Sequence, residues 1–288
     1  MKTNNTKKKV NKKTNKKKSK YDKRNRLNNL TGSEWLKSTK SYWISEKSVE
    51  DKIAYEHPAP FLVKDTSRLV SFFTKKNQLV LDPFSGTGTT LLACCHLNRK
   101  GIGIDLNKKY SSIAKKRIIK HLNYANQKII HGDSLNIIDK INDKIDYCVT
   151  SPPYHNILKN DGQGIRVSKE KHRQGARKGV QFYSKKQNDL GNQETYKDFL
   201  ILFSKIMRKV FKKLKDKSYT SIVISDFTID KKETNVHGHI IDLMEKIGFT
   251  FVGTIILLQE SKPLYPFGYP YSFVINHHHQ NIINFRKI

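Results

Sequence analysis

Cysteine is scarce in this 288-residue chain: three residues (Cys94, Cys95, Cys148), too few and too badly placed for a disulfide framework or a Cys-based zinc site. A reducing cytosol or nucleus fits that usage. Long apolar runs are missing as well, and none reaches the roughly eighteen residues that a membrane helix needs. The Lys/Asn-rich start has no apolar segment, so no secretory signal is expected. Acidic charge is the largest shortfall, with 25 Asp+Glu against 55 Lys+Arg and a net charge of +30. An imbalance of that size points to a polyanionic partner, nucleic acid first.

The basic charge is unevenly placed. Residues 1–27 hold thirteen Lys/Arg and one acid, Asp22, a net +12 that leaves +18 for the rest. Residues 1–28 therefore read as a disordered basic tail, either a phosphate-tracking arm, a nuclear address or a solvated tail. Residues 29–288 read as one domain, interrupted by a basic loop at about 155–193. Within that loop Lys159–Lys186 carries nine Lys/Arg, two acids and four glycines. Loops of this length are commonly functional or disordered.

Apolar runs and amphipathic stretches alternate along the rest. Strands are expected at Leu79–Leu81, Gly101–Asp105, Lys128–Ile130, Ile145–Val149, Tyr219–Ile224, Thr250–Leu258, Tyr271–Ile275 and Ile282–Phe285. Helices are expected at Thr89–Asn98, from the Asn107 cap to Ile119, at Glu194–Leu214 and at His239–Lys246. Short apolar strands alternating with helices predict a mostly parallel sheet covered on both faces. The last two strands follow without a helix between them, so one should run antiparallel.

Two turns carry chemistry. The first, Asp82-Pro-Phe-Ser-Gly-Thr-Gly-Thr-Thr90, joins a strand to a helix, where glycines allow close approach of a ligand. It lacks the Gly-Lys-Ser/Thr of a phosphate loop, and Leu91 stands where a nicotinamide fingerprint needs glycine. Asp105, nineteen residues beyond Gly86, ends the next strand, where a carboxylate can accept two ribose hydroxyls. Asp133 ends a third strand, suitably for an adenine amino group. A nucleoside without phosphate, as in S-adenosylmethionine (SAM), fits this set.

The second turn is Thr150-Ser-Pro-Pro-Tyr154. Its two prolines remove two N–H donors and leave the Ser151 hydroxyl and the Pro152 carbonyl as acceptors. Acceptors suit an exocyclic amino group: they hold its hydrogens, aim its lone pair at a methyl donor and stabilise developing charge. Tyr154 offers a ring for a flipped base to stack on.

Together the two turns resemble the amino-group DNA methyltransferases, which make N4-methylcytosine or N6-methyladenine. His57-Pro-Ala-Pro-Phe61, Leu30-Thr-Gly-Ser-Glu-Trp35 and Pro266-Phe-Gly-Tyr-Pro-Tyr-Ser-Phe273 resemble further segments of that family, so the likeness covers about residues 29–288. It implies a Rossmann-like α/β methyltransferase fold: a mostly parallel seven-stranded sheet, helices on both faces and one antiparallel C-terminal strand. It implies that SAM lies against His57, Pro58, Asp82, Phe84, Ser85, Gly86, Gly88, Thr89 and Thr90, with Asp105 on its ribose and Asp133 on its adenine. Ser151, Pro152, Pro153 and Tyr154 are the implied catalytic residues. The glycine turn precedes the Ser-Pro-Pro-Tyr turn, as in the γ arrangement, and little chain follows Phe273. Base reading is therefore expected of the loop, with Arg166, Arg173 and Arg177 as candidate base contacts.

Ser-Pro-Pro-Tyr, rather than Asp-Pro-Pro-Tyr, resembles the cytosine-N4 members of the family, so cytosine N4 is expected ahead of adenine N6. An RNA amino-group methyltransferase and a non-catalytic basic nucleic-acid-binding protein remain alternatives. A cognate restriction endonuclease is a possible partner; the expected location is the cytoplasm with the nucleoid, or the nucleus of a eukaryote. Cys94, Cys95 and Cys148 read as packing residues. His277-His278-His279, adjacent on a strand, cannot all face one ion, so no metal site is expected.

Overall fold

The computed structural model describes residues 20–155, 183–184, 186–229 and 232–288. Arg166, Arg173, Arg177 and the first nineteen residues lie outside this set. Residues 20–28 already pack on the domain: Asn28 is buried and its amide donates to the Phe72 carbonyl at 2.7 Å. Asn25 and Asn28 turn the chain there with side-chain caps, accepting from the Leu27 and Leu30 N–H groups.

A capping box between Thr31 and Glu34 opens α1 (Gly32–Ser38), followed by a short strand, β1 (Tyr42–Ile44). Helix α2 (Val63–Phe73) buries Val63, Thr66, Leu69, Val70 and Phe73, a helical period. Then come β2 (Leu79–Asp82), α3 (Thr89–Leu97), β3 (Lys100–Asp105), α4 (Lys108–Ile118), β4 (Gln127–His131), α5 (Ser134–Ile137) and β5 (Ile145–Thr150). Beyond the basic loop lie α6 (Tyr196–Lys213), β6 (Leu214–Ile224), β7 (Phe227–Ile229), β8 (Lys232–Thr234), α7 (Val236–Ile247), β9 (Phe249–Leu258) and β10 (His279–Lys287).

Among the described residues the main sheet has eight strands in the order β1-β9-β10-β6-β5-β2-β3-β4, and β7 pairs with β8 separately. All neighbours are parallel except β10, which runs antiparallel to both β6 and β9. The expected antiparallel strand is there. Two expectations are corrected. The sheet has an eighth strand, β1, held at the edge by buried Trp43. Tyr271–Ile275 forms no strand, since Pro266 and Pro270 lack N–H donors and Gly268 turns the chain at φ +73°. The strand antiparallel to β10 in that hairpin is β9.

Strand residues alternate between two covered faces. Val80, Tyr147, Val149, Val223 and Ile282 pack with α2 and α3 on one side. Leu81, Cys148, Ile222, Ile224 and Ile283 pack with α6 and α7 on the other. Each fully buried Leu, Ile or Phe stabilises the fold by about 1.5–3 kcal/mol. The two layers hold the strand ends rigidly in place.

Candidate active site

In open α/β sheets the ligand crevice opens at the carboxyl ends of the strands, where strand order reverses. Here the reversal lies between β2 and β5. A cavity of about 490 Å³ sits there. Residues at or just after five strand ends line it: Pro83 and Phe84 (β2), Asp105 to Asn107 (β3), Asp133 and Ser134 (β4), Ser151 to Tyr154 (β5) and Ser225 (β6). His57 and Pro58 line the same cavity from the segment before α2.

The glycine turn is built for close packing. Gly86 and Gly88 have φ of +50° and +80°, which favour glycine. A Cβ on Gly88 would lie 2.6 Å from the Cβ of Ala114, so this glycine also lets α3 approach α4. The Gly86 N–H donates to Asp105 Oδ2 at 2.8 Å, fastening the turn to the end of β3. Asp82 is buried beneath the turn, where its carboxylate accepts from Thr90 Oγ1 at 2.5 Å and Thr150 Oγ1 at 2.7 Å. Thr89 Oγ1 accepts from Arg117 Nη1 at 3.1 Å. Asp82, Ser85, Gly86, Gly88, Thr89 and Thr90 thus form the frame of the turn, and the cavity lining does not include them. Phe84 reaches the cavity; these six shape it from behind.

Asp105 faces the cavity with both oxygens already anchored, Oδ2 by Gly86 and Oδ1 by the Asn107 N–H at 2.8 Å. Each oxygen keeps a second lone pair for a ligand donor. Burial pushes its pKa up to about 7, against the pull of those two N–H groups. Asp133 caps α5 through the Leu135 N–H at 2.9 Å and accepts from Asn188 Nδ2 at 2.7 Å. His57 lies over Gly86, edge-on to Tyr110 at 4.7 Å and stacked on Tyr183 at 5.5 Å. Burial lowers its pKa to about 4, so the ring is neutral at ordinary pH, with Nδ1 accepting from the Ala59 N–H at 3.2 Å. The lining fits a cationic nucleoside: two carboxylate acceptors and a neutral aromatic wall, framed from behind by the glycine turn, in a space of ordinary ligand size.

The Ser-Pro-Pro-Tyr turn forms the opposite wall. Ser151, Pro152 and Pro153 line the cavity directly. Tyr154 lines it too, but it is only 8% exposed and belongs to the core. Its ring stacks on Phe227 at 5.6 Å, and its hydroxyl accepts from the Ser225 N–H at 3.0 Å and Gln280 Nε2 at 2.9 Å. Tyr154 is therefore a wall of the cavity fixed in place by Phe227, Ser225 and Gln280.

Sequence reading missed several residues around the cavity. Tyr183, Asn188 and Asp189, from the C-terminal part of the basic loop, line the cavity with Asp105 and Asp133. Asn107 Nδ2 donates to the Tyr183 carbonyl at 2.7 Å and holds Tyr183 there. Lys262 and Pro263, at the root of the β9–β10 connection, line the far rim. Asp226, which the sequence left undecided, accepts from the His237 N–H at 2.7 Å and is absent from the lining. Cys94, Cys95 and Cys148 are buried, and burial raises all three thiol pKa values. His277 pairs with Glu233 at 3.0 Å, with the His277 and His279 ring centroids 6.3 Å apart. No helix among the described residues is long and apolar enough to cross a membrane.

Comparison with known proteins agrees with this geometry. The sequence profile of the N6/N4 methyltransferases, described as DNA methylase, matches residues 1–116, a stretch that includes the glycine turn and Asp105. The type II methyltransferase M2.LlaDCHI of Lactococcus lactis subsp. cremoris is 40% identical over 92 residues, 31% of this chain and 34% of that protein. The orphan methyltransferase M.BamHII of Bacillus amyloliquefaciens is 40% identical over 73 residues, 25% of this chain and 28% of that protein. The chain thus spans about a third of the length of these curated relatives. Among solved structures, TrmN from Thermus thermophilus superposes with a TM-score of 0.51 at 12% identity, covering 85% of this chain and 55% of TrmN. That likeness concerns the fold. In sequence the chain is similar to the amino-group DNA methylases over part of its length, and in architecture to TrmN.

Proposed function

We propose that this protein transfers the methyl group of SAM to the exocyclic amino group of a flipped DNA base, cytosine N4 first and adenine N6 second. One observation carries the reading. A single cavity joins an acceptor set suited to a nucleoside, Asp105 and Asp133, to the acceptor-only turn Ser151-Pro152. When bound, SAM supplies an activated methyl on a positively charged sulfur. Asp105 accepts the ribose hydroxyls, Asp133 an adenine amino hydrogen, and His57 and Phe84 shield the ring. Ser151 Oγ and the Pro152 carbonyl would hold the target amino hydrogens so that the lone pair points toward the methyl. As the N–C bond forms the S–C bond would break to leave a neutral thioether, and the methylated nitrogen would lose one proton to water. Pro153 stiffens the turn and Tyr154 sets its depth.

DNA as the substrate is supported by the family profile, by the names of the relatives and by the +30 charge. A type II name also suits pairing with an endonuclease of the same specificity. The β9–β10 connection adds a surface for bases: Tyr269, Tyr271 and Phe273 are 80%, 94% and 92% exposed. Asn276 clasps its root, donating to the Tyr265 carbonyl at 2.9 Å and accepting from the Tyr265 N–H at 3.0 Å. Exposed aromatics on a connection whose root, Lys262 and Pro263, lines the cavity suit stacking on nucleobases.

Transfer of labelled methyl from SAM to DNA and to RNA, followed by nucleoside analysis, tests the reading. Label in N4-methylcytosine or N6-methyladenine of DNA supports it. Label confined to RNA, or none with a folded protein that binds SAM, rejects it.

A further inference from the structure

A second cluster of chemistry-bearing side chains lies away from the cavity. Glu50 sits in a short 3-10 helix, Val49–Lys52, His96 in the last turn of α3, and His121 just beyond α4. His96 Nε2 lies 3.1 Å from Glu50 Oε1 and His121 Nε2 lies 3.8 Å from the same oxygen. The three potential ligand atoms all fall within 4.8 Å of one another. None of the three residues lines the cavity.

Two features distinguish this group from an ordinary surface ion pair. Both imidazoles aim the same nitrogen at one carboxylate oxygen, although a single histidine would satisfy it. Their separations also bracket the ligand–ligand edge of a tetrahedron with bonds of 2.0–2.1 Å, about 3.3–3.4 Å. The backbone at Glu50 and at His121 is held in place. Arg117 Nη2 donates to the Glu50 carbonyl at 3.3 Å, while its Nη1 reaches the Thr87 carbonyl at 2.8 Å. The His121 N–H donates to the Ile118 carbonyl at 3.0 Å. Side-chain exposures of 31%, 39% and 29% for His96, Glu50 and His121 leave an approach from solvent.

We propose that Glu50, His96 and His121 bind one divalent transition-metal ion of the zinc class, with water completing a four-coordinate shell. Two imidazoles and a carboxylate are ligands that suit zinc. The ion joins the segment that carries His57 to α3 and α4, which frame the glycine turn. Its role is to brace that segment, and the inference stands independently of the proposed activity.

Calorimetric titration of zinc into untagged, metal-stripped, full-length protein tests it. A His277→Ala/His279→Ala background removes the competing histidine run. The expected result is one saturable equivalent, weakened more than about 100-fold by His96→Ala or His121→Ala, since losing a ligand exceeds the loss of an outer-shell partner. Zinc should raise the melting temperature of the parent and leave that of the His96→Ala protein unchanged. Cobalt in place of zinc should give the strong visible absorption of four-coordinate geometry. Glu50→Gln, which keeps the side-chain shape, should weaken binding in the same direction and serves if a histidine variant folds poorly. No saturable binding, or binding that these substitutions leave unchanged, would overturn the proposal.

Discussion

The two walls of the cavity are built from opposite materials. The wall at the ends of β3 and β4 presents carboxylates, Asp105 and Asp133, each anchored by backbone N–H groups. The wall at the end of β5 presents prolines, a hydroxyl and a buried tyrosine, with two N–H donors removed by Pro152 and Pro153. The first suits many hydroxyl and amino hydrogens on a ligand that must be held. The second suits one amino group whose hydrogens must be held while its lone pair stays open. The strand reversal between β2 and β5 sets them on either side of β2, in the lining of one cavity. On the proposed reading, binding and reaction fall to different strand ends, which makes them separable by substitution.

The largest separation is expected at Ser151. Ser151→Ala should lower turnover by about 10²–10³-fold, the usual cost of losing one preorganised hydrogen bond at a reacting centre. Its SAM affinity should stay within twofold of the parent. Steady-state labelled-methyl assays paired with calorimetry measure both. Asp105→Ala should do the converse, weakening SAM by about 1.5–3 kcal/mol through loss of charge-assisted contacts.

Titration of Asp105 sharpens the same contrast. Its pKa of about 7 lies above the ordinary 3.8, so the folded protein holds this proton more tightly than the unfolded chain. The stability linked to it is present below pH 3.8 and is lost as pH rises toward 7. A ligand that donates to the ionised carboxylate reverses the preference. SAM affinity should then fall by up to about tenfold per pH unit below pH 7, with proton uptake on release. Calorimetry in buffers of different ionisation enthalpy reads this directly, and Asp105→Asn should flatten the profile.

Smaller effects are expected where aromatics meet DNA. Phe273→Ala and Tyr271→Ala should each weaken DNA by about 1–3 kcal/mol, the range for one base–aromatic stack, without changing SAM affinity. Fluorescence anisotropy on short duplexes checks this. Tyr154→Phe keeps the ring on Phe227 and removes the acceptor for Ser225 and Gln280. It should cost about 1 kcal/mol of stability by urea melting, with a modest loss of turnover.

Strand ends were legible in the sequence because β2, β3 and β5 are short buried runs ended by chemistry-bearing turns. Glycine spacing and the double proline then placed Asp105 and Ser151 without tertiary information. Helix α2 was legible in principle, through Val63, Thr66, Leu69, Val70 and Phe73, although the segment was not singled out. Other parts depend on distant chain segments. Strand β1 is three residues long and exists because Trp43 finds a pocket against β9. Tyr183 and Asn188 join the cavity only when the chain returns to Asn107 and Asp133. The burial of Tyr154 follows from Phe227, Ser225 and Gln280, none of them near it in sequence. Glu50, His96 and His121 come from three separate elements and share no spacing motif.

A double-mutant cycle on Asp105→Ala and Ser151→Ala tests the division of the cavity most directly. SAM affinity and single-turnover methyl transfer would be measured on the same four preparations. The account predicts that Asp105→Ala alone sets the loss of SAM affinity and Ser151→Ala alone the loss of rate at saturating SAM. In the double variant the two losses should combine with a coupling below about 0.5 kcal/mol. Loss of SAM binding in a folded Ser151→Ala protein, or unchanged SAM affinity in Asp105→Ala, would contradict it.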